Sequence, residues 1–315
     1  MDGTAGRVAA IDVGTNTVLL LVAERRGDAV VPLVERAEIT RLGRGVDGSG
    51  RLDPAAIAET VGVLARYAAE ARRLMVREIA CVATSAARDA ENGADFFAAT
   101  RAQAGLTPEI ISGDEEARLV WRSAWRDFGG PALGGGTLAV LDVGGGSTEL
   151  SFGDGAAPGG RKSLQVGAVR LTERHVHEDP ISPATLATLR RAAREALAPL
   201  PALPGVEAIR GGRLVGVAGT VTTLAAVAQA LPAYDAEQVH GSTLRLAEIE
   251  ALVVRLAGLT VAERAALPGM EPKRADVIVA GGVVVAEALA LLGLDRLTVS
   301  DRGVRWGLVY DLLDG

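Results

Sequence analysis

The sequence is poor in the residues that cross-link, coordinate or span. A single cysteine, Cys81, occurs in 315 residues, which excludes an internal disulfide framework and fits a reducing compartment. Aromatic residues make up 3% against 49% hydrophobic residues overall, so aliphatic side chains must fill the core. Histidine occurs only at His175, His177 and His240, with no His-Asp doublet, which rules out a histidine–aspartate metal phosphohydrolase site. Solvated loop positions are expected for all three. There is no Ser-His-Asp set and no Walker A sequence. The longest apolar run, Val277 to Ala286, is too short to span a bilayer and is expected to form a buried helix. Met1 to Arg7 is short and polar, without a signal-peptide h-region. A soluble, cytoplasmic protein with no membrane partner is expected. The net charge of −6 excludes attraction of nucleic acid by charge alone. A polyanionic ligand would need a local cluster of arginines, which are nearly all of the basic residues.

The length suits two domains of about 150 residues each. Strands are expected at Val8–Ile11, Val18–Val22, Val30–Thr40 and Glu78–Val82. A helix is expected over Pro54–Arg73, with Asp53 as N-cap and Pro54 at the first helical position. Further helices are expected at Ala94–Ala104 and Glu115–Phe128, around a short strand at Glu109–Ile111. Residues 129–136, rich in glycine, read as a linker. The opening pattern then returns: strand Leu138–Leu141, a glycine turn, and a strand beginning at Leu150–Phe152. Strands near Ser163–Val166, Leu214–Val217 and Leu297–Ser300 come next, with helices near Pro183–Ala198, Leu246–Ala257 and Ala275–Leu292 and a last one after Arg302. The expected division is residues 1–130, residues 137–300, and a terminal helix in 301–315 near the domain interface. Two halves of alternating strands and helices argue for an α/β fold, with a cleft between the halves.

Two turns carry the chemistry. Asp12-Val13-Gly14-Thr15-Asn16-Thr17 recurs as Asp142-Val143-Gly144-Gly145-Gly146-Ser147-Thr148-Glu149, offset by 130 residues. A glycine turn between strands frees backbone N–H groups to point at one anion. Thr15, Asn16, Thr17, Ser147 and Thr148 add donors of phosphate-binding type. Asp12 and Asp142 sit at strand ends, where a carboxylate can hold Mg²⁺, and Glu149 can complete the second site. One Asp-x-Gly turn alone would be an ordinary capped hairpin; two at matching positions are not. Val217-Ala218-Gly219-Thr220 adds an anion site of helix N-terminal type.

Glu115 and Glu116 differ in what the helix asks of them. Ser112 and Glu115 have capping-box spacing, which gives Glu115 a structural job. The helix buries a stripe of Ala117, Val120, Trp121 and Ala124; at 100° per residue Glu116 falls beside it and Glu115 nearly opposite. Glu116 is therefore placed to act as a general base on water. The segment around Arg88, after Glu78–Val82, reads either as a capped helix start or as a loop whose arginine steadies a terminal phosphate.

Taken in order, these segments resemble the exopolyphosphatase and guanosine pentaphosphate phosphohydrolase family. Ala83-Thr84-Ser85-Ala86-Ala87-Arg88, Ile111 to Arg118, Gly167-Ala168-Val169-Arg170-Leu171-Thr172-Glu173, Ala218-Gly219-Thr220 and Val299 to Arg305 join the two turns in that match. The resemblance implies two ribonuclease-H-like domains of the actin-like superfamily with the active site in the interdomain cleft. It implies Mg²⁺-dependent removal of the terminal phosphate of inorganic polyphosphate, or of the 5′ phosphate of guanosine pentaphosphate (pppGpp). The family's catalytic glutamate falls on Glu116, and its metal-binding acids on Asp142 and Glu149, with Asp12 nearby. Extra helical domains of long members have no counterpart, so high processivity on very long chains is not expected. Trp306 stands where many members carry glutamate. A kinase of the same superfamily, which transfers phosphate to an acceptor, and a sensor that binds (p)ppGpp with little turnover are the rivals. A homodimer is expected from the apolar C-terminal region.

Overall fold

The computed structural model describes residues 6–130, 134 and 136–314; half of the linker expected at 129–136 lies outside them. The chain forms two compact units, one of residues up to Leu119 together with those from Val304 on, the other of Val120–Gly303.

The first unit begins with strands β1 (Arg7–Val13), β2 (Thr17–Arg26) and β3 (Ala29–Ile39). Helices α1 (Val46–Ser49) and α2 (Pro54–Arg73) lead to β4 (Glu78–Ala83). Next in the chain are helices α3 (Ser85–Asp89) and α4 (Gly93–Ala104), strand β5 (Glu109–Ile110) and helix α5 (Gly113–Phe128). Asp53 caps α2 as its sequence predicts, accepting from the Ala55 and Ala56 amides. The sheet order is β3-β2-β1-β4-β5. The β1–β2 and β2–β3 pairs are antiparallel, and the β1–β4 and β4–β5 pairs parallel.

The second unit repeats this plan. Strands β6 (Leu138–Val143), β7 (Thr148–Gly153) and β8 (Gly160–Leu164) form an antiparallel meander. Helices α6 (Ala168–His175) and α7 (Pro183–Leu197) precede β9 (Arg213–Val217) and α8 (Ala218–Ala228). Then come α9 (Ala236–Val239), β10 (Thr243–Arg245), α10 (Leu246–Ala257) and α11 (Val261–Ala265). Helix α12 (Ile278–Leu292) and strand β11 (Arg296–Val299) close it. The order is β10-β11-β9-β6-β7-β8, with β6–β9 and β9–β11 parallel. Both units are ribonuclease-H-like α/β domains, which makes the fold of the actin-like type.

Alternation along the strands sorts the side chains. Ala9, Ile11 and Val13 of β1 join the core under α2 and α4. Val8 and Ala10 join a second layer on the opposite face, which also holds Leu21 and Ala23 of β2. Helix α13 (Val304–Asp314), the chain's return to the first unit, covers that layer with Trp306, Val309 and Tyr310. Trp306, unexplained by sequence, is thus a core residue, 2% exposed. In the second unit Ala139, Leu141 and Val143 face the helices, among them α12, buried over all but Ala290 and Leu291. Of the apolar C-terminal residues, Trp306, Val309 and Tyr310 are buried in the layer that α13 covers, and Leu308, Leu312 and Leu313 are partly buried against it. No helix among the described residues is long and apolar enough to cross a membrane.

Candidate active site

The two glycine turns are the same structure built twice. In the first, the Gly14 amide donates to the Thr17 carbonyl at 3.0 Å; in the second, Gly144 donates to Ser147 at 3.0 Å. The flanking register agrees, Val13 opposite Val18 and Val143 opposite Thr148.

The segment just past the third strand of each unit ties down the turn carbonyls. The Gly43 amide donates to the Thr15 carbonyl at 2.8 Å, and the Thr40 and Arg41 amides to that of Asn16 at 3.1 and 3.0 Å. In the second unit the Ala168 amide donates to the Gly144 carbonyl at 3.0 Å, and the Val169 and Arg170 amides to that of Gly145 at 2.9 and 3.1 Å. In a trans peptide the carbonyl and the next N–H point in opposite directions. Anchoring these carbonyls therefore turns the N–H groups of Asn16, Thr17, Gly145 and Gly146 the other way, as an anion-binding concavity requires. Asn16, 8% exposed, also carries a buried side-chain Nδ2 without a hydrogen-bond partner.

Close packing requires glycine at Gly43, one of these anchors, and at Gly167, just ahead of those in the second unit. A Cβ on Gly43 would lie 2.3 Å from Thr15 Cγ2, and one on Gly167 would lie 2.5 Å from the Gly145 carbonyl oxygen. Thr148 is a correction to the expected phosphate donors. Its hydroxyl donates to the Val166 carbonyl at 2.6 Å, so its one O–H is spent inside the sheet.

Glu116 and Arg88 meet in the first unit. The Thr84 amide donates to the Val13 carbonyl at 3.1 Å, and the Ile111 amide to that of Ala83 at 3.1 Å. The ends of β1, β4 and β5 are thereby laced together beside the first turn. Arg88 donates from Nη1 to the Ile111 carbonyl at 2.9 Å and stands 3.6 Å from Glu116. Glu116 is 9% exposed. Glu115 pairs with Arg118 at 2.6 Å. The expected capping box is half made, since the Glu115 amide donates to Ser112 Oγ at 3.1 Å while the Glu115 carboxylate is held by Arg118.

Asp142 and Glu149 are direct cross-strand partners, so both side chains lie on one face of the sheet, opposite the helices that pack on Leu141 and Val143. Ser163 Oγ donates to Glu149 at 2.7 Å. Burial pushes the Asp142 carboxyl up to about 6. Among the described residues no three His, Cys, Asp or Glu side chains gather into a metal cluster. The donor set is thus a carboxylate pair. That fits Mg²⁺, which binds through one or two carboxylates and takes water and phosphate oxygens for the rest. Asp12, opposite Leu19 and Val82, ends the β1 face that starts with Val8 and Ala10.

At the head of α8, Ala218 adopts a left-handed backbone (φ 73°), a strained conformation for a residue with a Cβ. Gly219 leaves room for the Arg274 guanidinium, since a Cβ there would lie 2.1 Å from Arg274 Cζ. Thr220 packs against Gly281 of α12. Sequence reading passed over Arg274; its signal was a Lys-Arg pair just ahead of the long buried helix. His240 is also not a solvated loop residue. Its Nδ1 lies 3.1 Å from Asp301, and its ring lies 5.1 Å from that of Phe128.

Two glycine turns of one geometry, a carboxylate pair at one of them and a buried glutamate beside an arginine are features that suit the handling of phosphate. The description of the Ppx/GppA phosphatase family matches residues 21–315. Exopolyphosphatase 2 of Mycobacterium tuberculosis is 42% identical over 320 residues, covering 97% of this chain and 98% of that protein. A crystal structure of the Ppx/GppA family member of Aquifex aeolicus is 32% identical, with TM-score 0.79 and 98% of each chain covered. An exopolyphosphatase from Cytophaga hutchinsonii is 27% identical, with TM-score 0.88 and 98% of each chain covered. The chain belongs to the Ppx/GppA phosphatase family and is a hydrolase of phosphoanhydride bonds.

Proposed function

We propose that this protein is an exopolyphosphatase that removes the terminal phosphate of inorganic polyphosphate by in-line attack of water. The observation that carries the reading is Glu116, buried on α5 and held 3.6 Å from Arg88. A carboxylate in that setting can orient a water and take its proton. Arg88 offers its guanidinium to the terminal phosphate. The N–H groups of the two turns, with the hydroxyls of Thr15, Thr17 and Ser147 and the amide of Asn16, bind non-bridging oxygens without reorganising during reaction. Gly219 adds a helix N-terminal donor. Asp142 and Glu149 would hold Mg²⁺, with Asp12 as a further acid. The ion, when bound, neutralises charge on the phosphoryl oxygens. Support also comes from similarity to the M. tuberculosis exopolyphosphatase across nearly the whole chain. A cytoplasmic setting agrees with the single, buried Cys81.

Release of phosphate with Mg²⁺ from short-chain polyphosphate, long-chain polyphosphate and guanosine pentaphosphate tests the substrate. Preference for polyphosphate is expected. Preference for the nucleotide would make the protein a guanosine pentaphosphate phosphohydrolase. Tight binding of guanosine tetraphosphate with no release from any substrate would make it a sensor.

A further inference from the structure

The second turn is anchored by a side chain as well as by backbone amides. In the first turn the backbone amides of Thr40 and Arg41 hold the Asn16 carbonyl and that of Gly43 holds the Thr15 carbonyl. In the second, the Nε of Arg170, in the first turn of α6, donates to the Gly146 carbonyl at 2.8 Å. Its Nη2 donates to Gln165 Oε1 at 3.0 Å. With the Ala168, Val169 and Arg170 amides on Gly144 and Gly145, three consecutive carbonyls are held by one helix start.

We infer that Arg170 is a positioning residue, which aims the Ser147 N–H at phosphate by holding the Gly146 carbonyl away from it. The inference rests on the reading of Gly144–Ser147 as a phosphate turn. Gly145 and Gly146 make it necessary. Two successive glycines confer the freedom that lets backbone approach an anion, and the same freedom lets the peptide between Gly146 and Ser147 flip. Backbone amides fix the two peptides before it. Only the Arg170 side chain, among the described residues, fixes this one. In the first turn the equivalent carbonyl, that of Asn16, is held by the Thr40 and Arg41 backbone amides, so the peptide before Thr17 is fixed without a side chain.

Two substitutions separate the donor from the charge. Glutamine places its Nε2 as many bonds from Cα as the arginine Nε, and methionine has the same reach with no donor. The Kd of inorganic tripolyphosphate is measured calorimetrically with Mg²⁺ on a Glu116→Gln parent, so that turnover does not consume the ligand. Arg170→Met is expected to weaken binding about ten-fold, the loss of one charge-assisted hydrogen bond's worth of orientation. Arg170→Gln is expected to stay within about two-fold of the parent. Binding by Arg170→Met equal to the parent's overturns the inference. So does Arg170→Gln as weak as Arg170→Met, which would assign the effect to charge. A lowered Tm with unchanged Kd in both variants overturns it too, since that is a role in folding alone. If the parent binds tripolyphosphate with this pattern but the wild-type chain releases no phosphate from it, the exopolyphosphatase reading falls and the Arg170 inference stands. A parent that does not bind overturns the inference itself.

Discussion

Arg88 reaches from α3 to stand 3.6 Å from Glu116 while its Nη1 donates to the Ile111 carbonyl at 2.9 Å. The arginine therefore joins the loop before α5 to the carboxylate that α5 presents. Its Nη2 is buried without a hydrogen-bond partner, a donor left for an anion. Replacing Arg88 by methionine should remove both the positioning of Glu116 and the phosphate contact. A fall in kcat/KM of about 10²-fold is expected, measured by phosphate release from tripolyphosphate, with little change in Tm. Unchanged kcat/KM would take Arg88 out of the site.

The close-packed glycines beside the two turns give a graded prediction. At Gly43 the obstacle to a Cβ is a threonine methyl, which can rotate; at Gly167 it is the backbone of Gly145 itself. Gly167→Ala should therefore cost more than Gly43→Ala, with overpacking losses of about 1–3 kcal/mol at Gly167. KM should also rise more for Gly167→Ala. Equal effects in thermal unfolding and KM would contradict the geometry.

Asp142 makes the metal-free protein pH-sensitive in a defined direction. Burial raises its folded value to about 6 from an ordinary 3.8, so between those values the folded state holds more protons than the unfolded one. Stability from this group is full below about 3.8 and is lost as pH rises through about 6. In EDTA, Tm should fall over that window more for wild type than for Asp142→Asn. Parallel curves would show that Asp142 is not buried as an acid.

Trp306 should matter for stability and not chemistry. It fills the layer between α13 and Val8, Ala10, Leu21 and Ala23. Trp306→Ala is expected to cost about 3–5 kcal/mol in urea unfolding. A loss below about 1 kcal/mol would mean the helix repacks freely.

Much of this was legible in the sequence because the signals are local. Asp53-Pro54 fixes where α2 starts, and the helix-face argument separates Glu116 from Glu115 without reference to any partner. The repeated Asp-x-Gly pattern marked both hairpins, and the duplication extends to the same Gly-to-i+3 hydrogen bond in each turn. The residues that sequence reading missed depend on contacts far apart along the chain. Helix α6 has eight residues, too few to show a period, yet it anchors a turn more than 20 residues earlier. Arg274 is defined by a glycine 55 residues before it, Gly219. The hydroxyl of Thr148 looks like a phosphate donor until Val166 is seen to accept from it. Strand β8 ends at Leu164, short of the predicted Val166, because the Val166 amide turns back onto the Leu164 carbonyl at 2.9 Å.

The central claim is that Glu116 takes the proton from the attacking water. Phosphate release from tripolyphosphate with saturating Mg²⁺, wild type beside Glu116→Gln, tests it most directly. The account predicts that kcat falls by about 10²-fold or more while the calorimetric Kd for tripolyphosphate stays within a few-fold. Wild-type turnover by Glu116→Gln would contradict it.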